Sequence, residues 1–306
     1  MNDTAKHFLP KFALFIAALI WGSSFFIVKN AVDVFPPNIL LGIRFTVGCL
    51  LLALIFWKKL KVLNFSYLWQ GSILGVLLFT AYCTQTIGIT DTTPGKNAFL
   101  TAAYCVLVPF LFWITEKRRP DLYNFAAAFL CLAGIGLVSL DGNFSIRFGD
   151  ALTLVGAFFY AAHIIAVARF SRGKDPVLLT VVQFGAAAVC SWVLGLATEP
   201  FPTVVTLNAV LGVAYLAVFA TTAALLLQNV GQKYADPSSA AILLSLESVF
   251  GVAFSMVFYH EKLTLRLGAG FLLIFAAVIL SETKLSFLRK KRPASASAGE
   301  DTEEHA

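Results

Sequence analysis

Charge is what this sequence has least of. Only 13% of its 306 residues are Asp, Glu, Lys or Arg, against about 25% in an ordinary soluble protein. With 58% apolar residues and a mean hydropathy of +0.81, too little polar surface exists to coat two water-soluble domains. The bilayer is therefore the expected solvent. Paired cysteines are also lacking. Cys49, Cys83, Cys105, Cys131 and Cys190 each fall inside an apolar run and no two form a CxxC. That excludes a disulfide framework and a zinc cluster and leaves small core hydrophobes. The Gly-x4-Gly-Lys-Ser/Thr phosphate loop is missing, so ATP is not the expected energy source. His260–Glu261 lacks the second His of a zinc helix, and neither a metal nor any other cofactor is expected. Period-2 alternation is absent too, which excludes a barrel of strands.

What is present is a series of ten apolar runs: 12–28, 38–57, 69–88, 94–114, 122–140, 151–168, 177–197, 207–230, 238–259 and 265–281. Each spans or nearly spans a ~30 Å hydrocarbon core, which needs roughly 17–25 helical residues. No small-residue cleavage site follows Lys11, and Trp21 and Lys29 interrupt what would be a signal peptide, so the first run is read as a retained helix. Connections are short and neighbouring helices are antiparallel. Seventeen of the 23 Lys and Arg lie at one set of helix ends, and only Lys29, Arg147, Lys262 and Arg266 at the other. The richer set faces the cytoplasm, which places both termini there and the protein in the cell (inner) membrane. The net charge of +6 sits in loops and tail, so nucleic acid is not an expected partner; a small solute and membrane lipid are. Residues 285–306, basic and then rich in Ser, Ala and Glu, have no apolar face to bury and are expected to be disordered.

One stretch occurs twice. Gln85, Gly88, Pro94 and Ala98 recur as Gln228, Gly231, Pro237 and Ala241, displaced by 143 positions throughout. In each copy an apolar helix ends in Gln and Gly, and a Pro opens the next, where its missing N–H needs no partner. Trp21 and Tyr160, Pro37 and Pro176, Arg44 and Gln183, and Phe45 and Phe184 pair at an offset of 139. The halves hold five helices each. Five is odd, so the second half enters from the opposite side, and the repeats are inverted. The expected organisation is a cytoplasmic segment 1–11, repeats over 12–140 and 150–284, and the tail. The fold class is an all-α integral membrane protein of ten transmembrane helices, built as two inverted five-helix repeats around a central cavity.

Ten spans in two halves, the stretch Trp21, Gly22, Ser23, Ser24, Phe25 in helix one, and Glu116 and Glu261 closing helices four and nine resemble the EamA-type permeases of the drug/metabolite transporter superfamily. The resemblance covers roughly residues 11–284. It implies a basket of helices around a cavity, alternating access, and export of amino acids or other metabolites. Such proteins often carry Pro in mid-helix nine; this chain has Leu246, Glu247 and Ser248 there.

Candidate substrate-binding residues follow from depth. A charge at the bilayer centre costs roughly 2.5–3.5 kcal/mol on insertion scales, so it normally faces a cavity or a partner. Glu247, near the middle of helix nine, either faces a cavity and can carry a proton, or is a neutral acid bonded to a neighbouring helix. His163 shares a face with Tyr160 and serves either the solute or a structural hydrogen bond. Arg44 lies two turns in, with Gln183 as its counterpart, and either lines the cavity or snorkels outward. Lys96 is shallower and is expected to snorkel. Asn97, Thr101 and Tyr104 form a polar face by their spacing. Gln85 shares a face with Tyr82, and Gln228 with Thr221; these amides line the cavity or bond between helices. Trp21, Ser24 and Phe25 make an aromatic wall or simply pack. Gly71 and Gly75, and Gly251 and Ser255, are small-residue pairs suited to close helix contact. Glu261 is given no chemistry.

These features point to a secondary transporter for a small amphipathic or zwitterionic, amino-acid-like solute. A strongly anionic substrate would need several deep Arg or Lys, and only Arg44 qualifies. The alternative is a proton-coupled antiporter of cationic drugs using Glu247. An intramembrane enzyme is a remote alternative, since no nucleophile accompanies His163 and Glu247.

Overall fold

A computed structural model describes residues 3–117, 119–139, 146–234 and 237–283. The expected disordered tail, 285–306, lies outside them. The described chain forms ten apolar spans: α1 (Asp3–Ala31), α2 (Pro37–Ile55), α3 (Phe65–Thr90), the pair α4 (Pro94–Ala102) and α5 (Tyr104–Glu116), α6 (Leu122–Ser139), α7 (Phe148–Phe170), α8 (Pro176–Thr198), an eighth span in three parts, α11 (Pro237–Phe258) and α12 (Leu265–Thr283). The eighth span consists of α9 (Leu207–Tyr215), a π-helical stretch Leu216–Ala223 and α10 (Ala224–Tyr234). Seven of the ten are long and apolar enough to cross a membrane by length and composition; α6, α11 and α12 contain shorter apolar cores.

The repeated prolines open equivalent helices: Pro37 and Pro176 begin α2 and α8, and Pro94 and Pro237 begin α4 and α11. Polar caps complete several starts. Asn64, Thr93, Asp175 and Thr206 each accept a backbone N–H from the first turn of the helix that follows.

Packing repeats with the sequence. α1 lies on α11, and its mate α7 lies on α4 and α5; α3 lies on α7 and α8, and its mate, the eighth span, lies on α1 and α2. α2 against α8, and α6 against α12, pack across the relating axis. Exchanging the halves thus maps the contacts onto themselves, and the odd helix count makes the repeats inverted. Close approach of helices depends on glycine, as two positions illustrate. A Cβ on Gly75 of α3 would stand 2.5 Å from the Gln183 carbonyl oxygen of α8, and one on Gly251 would stand 2.5 Å from the Cβ of Ala98. Gly71 likewise lies against Val182, but Ser255 directs its hydroxyl to Glu261 instead. The outer surface is apolar, with Leu54, Phe129 and Leu265 at least 70% exposed, as lipid contact requires. Trp57 and Trp69 are exposed beside the Lys58–Lys61 end, where aromatic side chains favour the interface.

Two spans expected as continuous are interrupted. The fourth breaks at Ala103, whose N–H reaches back to Leu100, and Pro109 in the following turns has no N–H to give. In the eighth span carbonyls are drawn off the helix ladder: Thr222 Oγ1 donates to Ala217 O at 2.7 Å, five residues back, and Trp21 Nε1 donates to Ala220 O at 2.7 Å. π-helical turns of this kind concentrate at functional sites.

Candidate functional site

Spans from both repeats converge on one cavity. Of the thirteen residues expected to touch a solute, twelve line it: Trp21, Ser24, Arg44, Tyr82, Gln85, Asn97, Thr101, Tyr104, Tyr160, His163, Gln228 and Glu247. Gln183 stands behind His163, its Oε1 3.3 Å from His163 Nε2. Phe25, Val28, Leu78, Thr86, Ile89, Ile164, Leu225 and Leu244 complete the wall. The space open to the centre of a water molecule is about 40 Å³, room for roughly three waters at the ~10–15 Å³ each requires. A larger solute therefore needs the helices to move.

Arg44 is only 2% exposed, which corrects the outward-snorkelling alternative. Its Nε donates to Thr221 Oγ1 at 2.9 Å, and its guanidinium carbon lies 5.1 Å from the centre of the Tyr82 ring. The π-helical stretch thus serves two cavity residues, offering the Ala220 carbonyl to Trp21 and the Thr221 hydroxyl to Arg44. Tyr82 meets Tyr160 edge-on at 5.4 Å, and Tyr104 lies 6.3 Å from Tyr160. Three adjoining phenol rings and the Trp21 indole line the same cavity, and a cation is attracted to such faces. Glu247, 5% exposed, reaches the cavity beside Tyr104.

The amides are arranged by the hydroxyls around them. Gln85 Nε2 donates to Thr101 Oγ1 at 2.9 Å, and Tyr160 Oη donates to Gln85 Oε1 at 2.8 Å. Asn97 Nδ2 donates to Thr153 Oγ1 at 2.8 Å and to Gln85 O at 3.3 Å, while its Oδ1 is buried without a partner. An orphaned acceptor on a cavity wall is suited to an incoming N–H. Sequence reasoning passed over Thr153, although it lies seven residues before Tyr160 and so shares its helix face. It noted Thr221 only as sharing a face with Gln228, and its bond to Arg44 was not foreseen.

The end of the cavity that holds Lys29 and Lys96 is closed by paired groups. Lys96 does not snorkel: its Nζ is 2.8 Å from Asp150 Oδ2, and Asp150 Oδ1 accepts from Thr92 at 2.7 Å. Lys29 caps the end of α3 through the carbonyls of Ile89 and Thr90. Glu261, expected to do no chemistry, holds structure together: it accepts from the Gly95 N–H at 2.9 Å and from the hydroxyls of Thr93 and Ser255. A carboxylate is well placed at the start of α4.

Residues 10–140 and again 147–283 match the EamA-like transporter family. The chain belongs to that family. It is 32% identical to an uncharacterized transporter of Archaeoglobus fulgidus over 286 residues, covering 91% of this chain and 88% of that protein. The uncharacterized transporter YvbV of Bacillus subtilis is 26% identical, with 90% of this chain and 93% of that one covered. The uncharacterized inner membrane transporter YedA of Escherichia coli K12 is also 26% identical, with coverages of 93% and 95%. A crystal structure of another protein superposes with a TM-score of 0.68 at 17% identity, covering 92% of this transporter and 98% of its own chain; at that identity it shows the fold alone. The double match and the ten spans agree in describing a multi-pass membrane transporter of two repeats.

Proposed function

We propose that this EamA-like transporter moves a small amphipathic or zwitterionic, amino-acid-like metabolite across the cytoplasmic membrane by alternating access, as an exporter. One observation carries the proposal. The cavity between the repeats holds one guanidinium, one carboxyl, an orphaned amide oxygen and an aromatic wall. Arg44 suits a carboxylate. The aromatic faces, Asn97 Oδ1 and Glu247 suit an ammonium group. A single deep Arg is too few for phosphorylated sugars or nucleotides. The moving units are 12–140 and 150–284, and no catalytic step is part of the proposal. Both termini lie in the cytoplasm, and the only partners the proposal requires are the solute and lipid. Export follows from the resemblance drawn above. A second reading is favoured by the buried Glu247 carboxyl beside Tyr104: proton-coupled antiport of a cationic compound.

The test is counterflow into liposomes with purified protein, offering amino acids, nucleobases, cationic drugs and phosphorylated sugars in parallel. Exchange of neutral amino acids without phosphorylated sugars is expected. Exchange of cationic drugs alone would transfer support to the second reading. Silence towards both classes would end both.

A further inference from the structure

The two ends of the cavity are built differently, although duplication made them from the same parts. The outer seam runs between α2 and α3, and its inverted mate runs between α8 and α10. At corresponding positions, by offsets of 139 and 143, the outer seam carries Leu41, Thr86 and Ile89 where the other carries Thr180, Asn229 and Gln232. All six are at least nine-tenths buried. The fourth pair is Arg44 and Gln183; Arg44 donates its Nε to Thr221 and lies over the Tyr82 ring.

The α8–α10 seam keeps unmet hydrogen-bonding groups instead. Thr180 and Gln183 lie one turn apart on α8, as do Asn229 and Gln232 on α10, and the two helices are in contact. Asn229 Nδ2 donates to Thr180 Oγ1 at 2.8 Å, which draws the two faces together. Yet Asn229 Oδ1, Gln232 Oε1 and Gln183 Nε2 are all buried without a partner. Buried polar groups are ordinarily satisfied, and three orphans along one seam are costly unless something passes to meet them. The strip also joins the cavity: Gln183 backs onto His163, and Gln228, next to Asn229, lines the wall. At its far end lie Lys233 and Lys174, joined by a 2.8 Å bond from Lys233 Nζ to the Lys174 carbonyl.

We propose that solute reaches the cavity from the cytoplasm along the α8–α10 seam, where Gln232, Asn229 and Gln183 act as successive hydrogen-bonding subsites. Two free acceptors and then a free donor suit a solute with both kinds of group, such as an ammonium with a carboxylate or carboxamide. The inference rests on the transporter reading, but its test needs no transport.

Gln183→Cys is exposed to a charged, membrane-impermeant methanethiosulfonate reagent in vesicles of each orientation, with wild type as the background for the native cysteines. Lys174→Cys and Arg147→Cys mark the two membrane sides. Gln183→Cys is expected to react from the side that labels Lys174→Cys, at least tenfold faster than from the other. Adding Asn229→Leu is expected to slow that reaction tenfold or more. Reaction from the Arg147 side, no reaction from either side, or indifference to Asn229→Leu would overturn the proposal. Should Gln183→Cys not assemble, Asn229→Cys with Gln232→Leu probes the same seam one step nearer the mouth, with the same outcomes. A silent counterflow panel with positive labelling would count against the solute class and not the seam.

Discussion

Lys96 Nζ and Asp150 Oδ2 stand 2.8 Å apart, with the Asp150 side chain fully buried and the Lys96 side chain 12% exposed. The pair ties α4 of the first repeat to α7 of the second at one end of the cavity, and Asn97–Thr153 repeats the tie one residue deeper. Removing one partner of a buried pair leaves an uncompensated charge, at a cost of about 3–5 kcal/mol. Lys96→Met is therefore expected to destabilise the protein by about 3 kcal/mol, the lower end because Lys96 keeps some solvent. Lys96→Met with Asp150→Asn should recover most of that loss. Thermal unfolding in detergent of the single and double variants reads both effects; a double variant no better than the single would show that the charge pair is not what matters.

The opposite end has a weaker counterpart. Lys59 Nζ is 2.7 Å from Asp175 Oδ2, and both side chains are substantially exposed. Partial burial pushes the Asp175 carboxyl up, but the Lys59 hydrogen bond, the Val177 N–H and the charges of Lys59 and Lys233 outweigh it and hold the group below the usual carboxylate range. A depressed folded-state pKa contributes stability above the unfolded value of about 3.9, and the contribution fades as pH falls through the folded value. Exposed pairs are worth only about 0–1 kcal/mol. Lys59→Met should accordingly lower the melting temperature by about 1–2 °C at pH 7. The difference from wild type should vanish in strong acid, and one that grew with acidification would contradict this account.

How much of this could be read from the chain depends on how local each signal was. Pro37, Pro94, Pro176 and Pro237 mark helix starts wherever they occur, so the duplicated framework was visible at once. Polar residues inside apolar runs are equally local signals, and Tyr82, Asn97 and Tyr160, picked out by helix face, and Glu247, picked out by depth, line one cavity. What stayed hidden depends on a distant partner. Lys96 looked free to snorkel because Asp150 lies 54 residues away. Arg44 was ambiguous because Thr221, 177 residues on, decides its direction. The π-helical stretch was unreadable for the same reason: the Trp21 indole that draws off the Ala220 carbonyl comes from the other repeat.

Arg44 offers a separate test of the carboxylate end of the cavity. Its planar guanidinium both lies over the Tyr82 ring and donates to Thr221, and lysine cannot reproduce that geometry. Arg44→Lys keeps the charge but is expected to raise the half-saturating concentration of neutral amino acids in counterflow about tenfold, equivalent to ~1.4 kcal/mol. Thr221→Val, which removes one hydrogen bond worth about 1 kcal/mol, should raise it about fivefold. An Arg44→Lys protein that folds and transports like wild type would remove the guanidinium from the recognition of solute.

Glu247 decides between the two modes of transport. Its carboxyl is buried in the cavity beside Tyr104, while the Nε of Arg44 on the same wall donates to Thr221. A carboxyl in such a place can take up a proton on one side of the membrane and release it on the other. Glu247→Gln preserves size and hydrogen bonding but cannot ionise. If the carboxyl couples solute to protons, proteoliposomes carrying Glu247→Gln should lose the component of uptake driven by a pH gradient. Equilibrium binding of the solute should change by no more than about fivefold, the worth of one hydrogen bond. Tyr104→Phe should shift the pH midpoint of uptake without abolishing its pH dependence, because it removes the neighbouring hydroxyl and leaves the proton carrier in place. Uptake by Glu247→Gln that still follows the pH gradient would move the coupling to another group. Uptake by the wild type that ignores the gradient would mean that the solute's own gradient drives transport, with Glu247 serving only to bind.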